Sequence, residues 1–304
     1  MHEGSRKAIA AAFFANLGIA VAKFVGFFVT GAASMLAEAI HSVADTGNQG
    51  LLFLGGKRAR QRPTEEHPFG YGRERYFWSF VVSMMLFSLG GLFALFEGEE
   101  KLRHPHELTS AWWAVGILVF AVALEAFSLR TAYREASHVR EPGQTWWQFI
   151  RQAKIPELPV VLLEDVGALL GLTFALVGIA LAEITGNARF DAAGSLAIGV
   201  LLVAIASVLA VEMKSFLIGE AASPQQRRAI ESALASAPAV RRVIHVRTEH
   251  LGPDELLVGA KVELDHTLAM PEVARAIDEA EAAVRAAVAS ATVIYLEPDV
   301  YREA

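Results

Sequence analysis

The stretch Ala37-Glu38-Ala39-Ile40-His41-Ser42-Val43-Ala44-Asp45-Thr46-Gly47-Asn48 lies inside an otherwise apolar segment long enough to cross a bilayer. On a helix, His41 and Asp45 are spaced i, i+4 and Asn48 follows at i+7, so all three side chains share one face. Ionisable groups at membrane depth cost roughly 2.5–3.5 kcal/mol each on insertion scales, so a span that keeps them has a use for them. A second acidic pair, Glu164-Asp165, stands far downstream in another apolar segment. An imidazole and carboxylates gathered in a dry bundle make a site for a divalent cation. The competing reading is a set of polar residues hydrogen-bonded between helices, which membrane bundles also contain.

Outward from this stretch, apolar runs recur through the first two-thirds of the 304 residues, 54% of which are hydrophobic. Mean hydropathy is +0.38. This identifies an integral membrane protein. With no cysteine, disulfides and thiolate metal sites are excluded, and a metal must use His, carboxylate, amide or water. The net charge of -6 decides little, because the charges are unevenly placed. The first apolar segment is too long for a signal-peptide core and is expected to be retained.

The expected fold class is an α-helical membrane protein, a six-helix transmembrane bundle with a C-terminal cytoplasmic α+β domain of ferredoxin-like αββαβ type. Spans are expected near 8–29, 35–54, 77–96, 112–129, 158–182 and 190–209. Domains are expected at 1–218 (transport) and 219–304 (dimerisation). The loop after the second span holds Lys57, Arg58, Arg60, Arg62, Arg73 and Arg75, and the loop after the fourth holds Arg134, Arg140, Arg151 and Lys154. The opposite loops carry few basic residues, so both termini are expected on the cytoplasmic side. In the tail, Ser223-Pro224 opens a helix. An alternating strand over 240–250 follows, with Val243, His245 and Arg247 on one face. Gly252-Pro253-Asp254 then makes a turn before a second strand over 256–264, a helix from Pro271 and a short third strand over 292–296.

Glu164 and Asp165 are about 100° apart on a helix, so both cannot face one small site equally. Gly167 and Gly171 would let another helix approach closely. Glu38 either binds a cation in transit, relays a proton or makes a packing contact. Glu125 either pairs with Arg130 or with a base on a neighbouring helix. Trp146-Trp147 with Phe149, Ile150 and Arg151 resembles an interfacial anchor.

Two motifs together resemble the cation diffusion facilitator family of proton-coupled metal exporters. One is 37–45, quoted above. The other is His67-Pro68-Phe69-Gly70-Tyr71-Gly72-Arg73-Glu74-Arg75, similar to the family's His-Pro-Tyr/Phe-Gly-x-Gly-Lys/Arg loop. The resemblance implies a tetrahedral intramembrane site between spans two and five, proton antiport and a homodimer joined partly through the tail. It places His41 and Asp45 at the span-two ligand positions and Asp165 at the second span-five position. The first span-five position is Val161, which cannot bind metal, so Asn48, Glu164 or water is left for the fourth place. His67 is a further candidate ligand, although the second histidine of its loop site is replaced by Tyr71. In the tail, Ile244, Lys261 and Tyr295 stand where metal-sensing relatives have histidines. Only Glu297 keeps ligand chemistry there, while His245, His250 and His266 are displaced.

The resulting expectation is a secondary transporter, not an enzyme. It exports a divalent cation, zinc first and manganese, cobalt, nickel or iron(II) next, against protons. No cofactor or nucleic-acid partner is expected; the partners are metal ion, protons, lipid and a second copy of the chain. A plasma or inner membrane is the expected location. The alternative class is an intramembrane metal- or carboxylate-dependent hydrolase, against which the chain offers no His-Glu-x-x-His motif and no nucleophile in a suitable context.

Overall fold

The computed structural model describes residues 3–105, 111–140 and 143–302, with side chains described from residue 16 onward except at 111 and 152. It divides into two compact units, Met1–Gly55 with Phe77–Met213, and Gly56–Tyr76 with Lys214–Ala304. The second unit thus adds the loop after α2 to the tail, and its chain boundary falls at 213/214 rather than at 218/219.

The first unit is built from long helices: α1 (Glu3–Thr30), α2 (Ala33–Arg58), α3 (Glu74–Arg103), α4 (Ala111–Val139), α6 (Glu157–Thr185) and α7 (Arg189–Ile218). A short helix α5 (Trp146–Gln152) precedes α6 and opens on a Thr145/Gln148 capping box. Every expected span lies within one of these helices. By length and apolarity four of them can cross a membrane, α3, α4, α6 and α7, while the described apolar part of α1 is Asn16–Thr30. The helix α2 is not among the four, because Glu38, His41, Asp45 and Asn48 interrupt its apolar run.

Inside this unit the core is aliphatic, with Met35, Val82, Leu86, Leu118, Leu172, Ile198 and Leu202 fully buried. The glycines of α6 do what their spacing predicts. A Cβ on Gly167 would sit 2.9 Å from Ile205 Cδ1, and one on Gly171 would sit 2.5 Å from Glu38 Oε1. Gly171 therefore makes room for a carboxylate as well as for a helix. The start of α2 is held by Asp191 of α7, whose Oδ2 accepts from the Ala33 N–H at 2.7 Å while Oδ1 accepts from Ser34 N–H and Oγ. A buried carboxylate at a helix N-terminus satisfies orphan donors and the helix dipole together.

The helix α3 is not uniform. Leu86–Leu92 is a π-helical segment, in which the Phe93 N–H reaches Ser88 O. Such π-turns widen one turn of a helix and cluster at functional sites.

In the second unit, α8 (Pro224–Ser236), β1 (Val240–Gly252), β2 (Glu255–Leu264), α9 (Met270–Ala287) and β3 (Ala291–Pro298) follow the expected helix–strand–strand–helix–strand order. The sheet order is β1-β2-β3, with β1/β2 antiparallel and β2/β3 parallel. Ile230, Leu234, Leu256, Val258 and Val284 fill the core between helices and sheet. The strand reading of 240–250 needs one correction. A register shift between Val243 and His245 puts Val243 against the core with Val246, leaving His245 and Arg247 exposed. A bulge adds one residue and so reverses the alternation upstream of it.

The loop 56–76 packs on the β1–β2 hairpin. Arg73 pairs with Glu249, and Arg75 reaches Asp254 at 3.2 Å. Gly72 lies against the hairpin backbone, where a Cβ would come within 2.7 Å of Leu251 O and 3.0 Å of the Gly252 Cα. Tyr76 is fully buried and stacks on Phe216 with ring centroids 4.6 Å apart.

Candidate functional site

The face of α2 that carries Glu38, His41, Asp45 and Asn48 is turned into the bundle. Glu38, His41 and Asn48 are fully buried, and the Asp45 side chain is 16% exposed. His41 Nε2 lies 3.5 Å from Asp45 Oδ2, close enough for an ion pair, yet neither ring nitrogen has a hydrogen-bond partner. Asp45 Oδ1, Asn48 Oδ1 and Glu38 Oε1 are likewise buried without one. Buried polar atoms are ordinarily hydrogen-bonded, so a row of unpartnered polar atoms along one helix face needs an occupant or a role.

Two other helices meet this face. From α6, Glu164 Oε1 accepts from Asn48 Nδ2 at 2.7 Å. Asp165 turns the other way, and its Oδ2 accepts from Ser128 Oγ of α4 at 3.1 Å. Their angular separation is real, but it does not put one of them outside the site. Asp45, Glu125, Val161, Glu164 and Asp165 all line one cavity, with Asn16, Ser42 and Gln49 on its polar remainder. The carboxylates stand around this space from three helices rather than closing on a point. Among the described residues no three His, Asp or Glu side chains are gathered in a ready-made metal cluster.

Of the residues picked from sequence, Asp45, Glu164 and Asp165 share the cavity, His41 adjoins it through Asp45, and Asn48 through Glu164. Val161 faces the same cavity and brings no donor to it. His67 belongs to the second unit, where it is exposed and packs edge-on against Tyr71 at 4.7 Å. In the tail, Lys261 binds Glu297 at 2.9 Å and Asp299 at 3.1 Å, so the one carboxylate with retained ligand chemistry is engaged by an ammonium. Those two bonds hold the Lys261 ammonium above its ordinary pKa, Glu297 contributing most.

Sequence reasoning undervalued Glu125 and missed Ser128 and Lys23. Glu125 enters the cavity, and Ser128 orients Asp165; both follow from α4 packing on α6, which no local pattern encodes. Lys23 falls inside the expected apolar span 8–29, yet it is fully buried with its ammonium on Glu38. A lone lysine at mid-helix was the available signal. The π-segment also bears on the site: a Cβ on Gly90 would lie 3.7 Å from His41 Nδ1, so the widened turn borders the imidazole.

The family model for the cation efflux transmembrane domain matches residues 9–218. The mitochondrial proton-coupled zinc antiporter SLC30A9 of Mus musculus is 34% identical over 244 residues, covering 80% of this chain and 43% of its own. Metal tolerance protein C4 of Arabidopsis thaliana is 27% identical over 262 residues, covering 86% and 57%. The cation-efflux pump FieF of Serratia proteamaculans is 27% identical over 277 residues, covering 91% and 86%. The chain thus spans less than half the length of the SLC30A9 relative and most of the FieF relative. With a model match over residues 9–218, more than half of its length, the chain belongs to the cation diffusion facilitator family.

Proposed function

We propose that the protein carries a divalent cation, zinc foremost, across a membrane in exchange for protons, on a site contributed by His41, Asp45 and Asp165. The observation that carries this reading is the row of buried, unpartnered donor atoms on α2: both His41 ring nitrogens, Asp45 Oδ1 and Asn48 Oδ1. A neutral imidazole ligates through whichever ring nitrogen carries no hydrogen, and an ionised carboxylate or an amide carbonyl ligates through oxygen. The relatives named as a proton-coupled zinc antiporter and a cation-efflux pump support the same direction.

Exchange follows from competition. Neutral imidazole and ionised carboxylate bind the cation, and protons arriving from the far side take the same lone pairs. Alternating exposure of one site then needs only two conformers that differ in which side reaches the cavity. Asn48 and Glu164 act as a linked pair, with Glu164 the fourth donor and Asn48 holding it. Manganese, cobalt, nickel and iron(II) are the other cargoes that an imidazole-poor, oxygen-rich donor set admits. We read α1 and α2 as spans beside the four apolar helices, with both termini on the side of the basic loops and two chains joined through the tail.

The deciding experiment reconstitutes the full chain in liposomes and follows zinc flux under an imposed pH gradient. Flux is expected in wild type and lost in His41→Ala and Asp45→Asn, with dimer content unchanged. Undiminished flux in either variant would overturn the reading.

A further inference from the structure

Among the described residues, the bundle holds a buried charge pair that the proposed transport cycle does not use. Lys23 of α1 and Glu38 of α2 are both 0% exposed. The Lys23 ammonium donates to Glu38 Oε2 at 2.9 Å and to Ser42 Oγ at 2.7 Å. Glu38 and Ser42 lie one turn apart on α2 and flank His41, and Ser42 also lines the cavity that Asp45 lines. The ammonium is therefore seated at the edge of the donor row. Glu38 Oε1 has no hydrogen-bond partner, so the carboxylate is only half used by its lysine.

As a fastener between two helices this pair is a poor choice. Taking both charges out of water costs about as much as their attraction returns, and apolar residues of similar size hold helices as well. What the pair does supply is two fixed, opposite charges beside a site for a dication. In a low-dielectric interior these act on bound cargo without touching it.

We infer that Lys23 and Glu38 set how tightly the neighbouring His41–Asp45 site holds a divalent cation, Lys23 loosening the grip and Glu38 strengthening it. Balanced, they leave the cargo bound weakly enough to be released. Lys23 and Glu38 are in this sense tuning residues, not ligands. The inference rests on the cargo reading of the site.

The test is calorimetric titration of Zn2+ into the full chain in detergent. Lys23→Met leaves the Glu38 charge uncompensated and is expected to tighten binding at least about tenfold, the scale for unit charges within a few side-chain lengths at an effective dielectric near 20. Glu38→Gln keeps an acceptor for Lys23 but leaves its positive charge, and is expected to weaken binding by a similar factor. The double variant, neutral again, should return to within about twofold of wild type. A pair that merely holds the helices would move both single variants the same way, towards weaker binding. That result, or either single variant matching wild type, overturns the inference. Should Lys23→Met fail to fold, Lys23→Gln takes its place, since it removes the charge but keeps a donor for Glu38; tighter binding is again expected, and unchanged or weaker binding sinks the inference. Asp45→Asn separates the two layers. If it binds Zn2+ as wild type does, the cargo reading falls and takes this inference with it; if it loses binding while the single variants move together, only this inference falls.

Discussion

Asn48 and Glu164, 116 positions apart in the chain, are joined by a 2.7 Å bond from the Asn48 amide to one oxygen of the buried carboxylate. It ties the donor-bearing face of α2 to α6 at the level of Asp45 and Asp165. The bond also leaves Asn48 Oδ1 unspent, facing the interior.

Removing that amide should therefore damage both packing and the cavity. Asn48→Ala strands Glu164 Oε1, a loss of about 1–3 kcal/mol for an unsatisfied buried group. Thermal melting in detergent should fall accordingly, and zinc flux should drop with it. Asn48→Asp should be the more harmful change, because it sets a carboxylate against a carboxylate.

Val161 faces the cavity and brings no donor to it. Val161→His is expected to tighten zinc binding by at least about tenfold and to raise the preference for zinc over manganese, since a second imidazole suits the softer ion. Competition titrations with Zn2+ and Mn2+ check both. A variant with unchanged selectivity would place the cargo away from position 161.

The tail offers a pH-dependent measurement outside the membrane. Asp265 accepts from Thr267 Oγ1 at 2.7 Å, from the Thr267 N–H at 2.9 Å and from Arg241 at 3.0 Å. These donors, the Thr267 hydroxyl foremost, hold its carboxyl well below the usual 3.8. A depressed pKa means stability that is present above the unfolded value and lost as pH falls through the folded one. The melting difference between wild type and Asp265→Asn should be constant near neutrality and close on acidification below about 4.

Gly72 is pressed against the β1–β2 hairpin. Gly72→Ala would thrust a methyl group into backbone at Leu251 and Gly252, with an overpacking cost of about 1–3 kcal/mol. Limited proteolysis should then cut the loop 56–76 faster than in wild type. An unchanged cleavage rate would mean that the loop does not depend on this contact.

How much of this could be read beforehand depended on periodicity. The i, i+3, i+4 placement of Glu38, His41, Asp45 and Asn48 on one face is a local property, and the structure buries that face. Ser223-Pro224 likewise announced the start of α8. Contacts between distant helices were less visible. Nothing near Glu125 says that α4 will turn it towards Asp165, and nothing near Lys23 names Glu38 as its partner. The π-segment of α3 depends on Gly90 and Gly91 fitting against His41, Leu202 and Val203, which is a tertiary condition. The Val243 bulge was hidden for the opposite reason: alternation over so few residues is compatible with either face.

Asp191 anchors only the first turn of α2, through two backbone amides and a serine hydroxyl. Sliding α2 along its axis would break all three at once, whereas tilting it about that end would keep them. The opposite end of the helix consequently has the longer lever arm, so a few degrees of swing move Asn48 further than His41, and His41 further than Glu38. The donors most exposed to such a swing are the ones that reach towards α6.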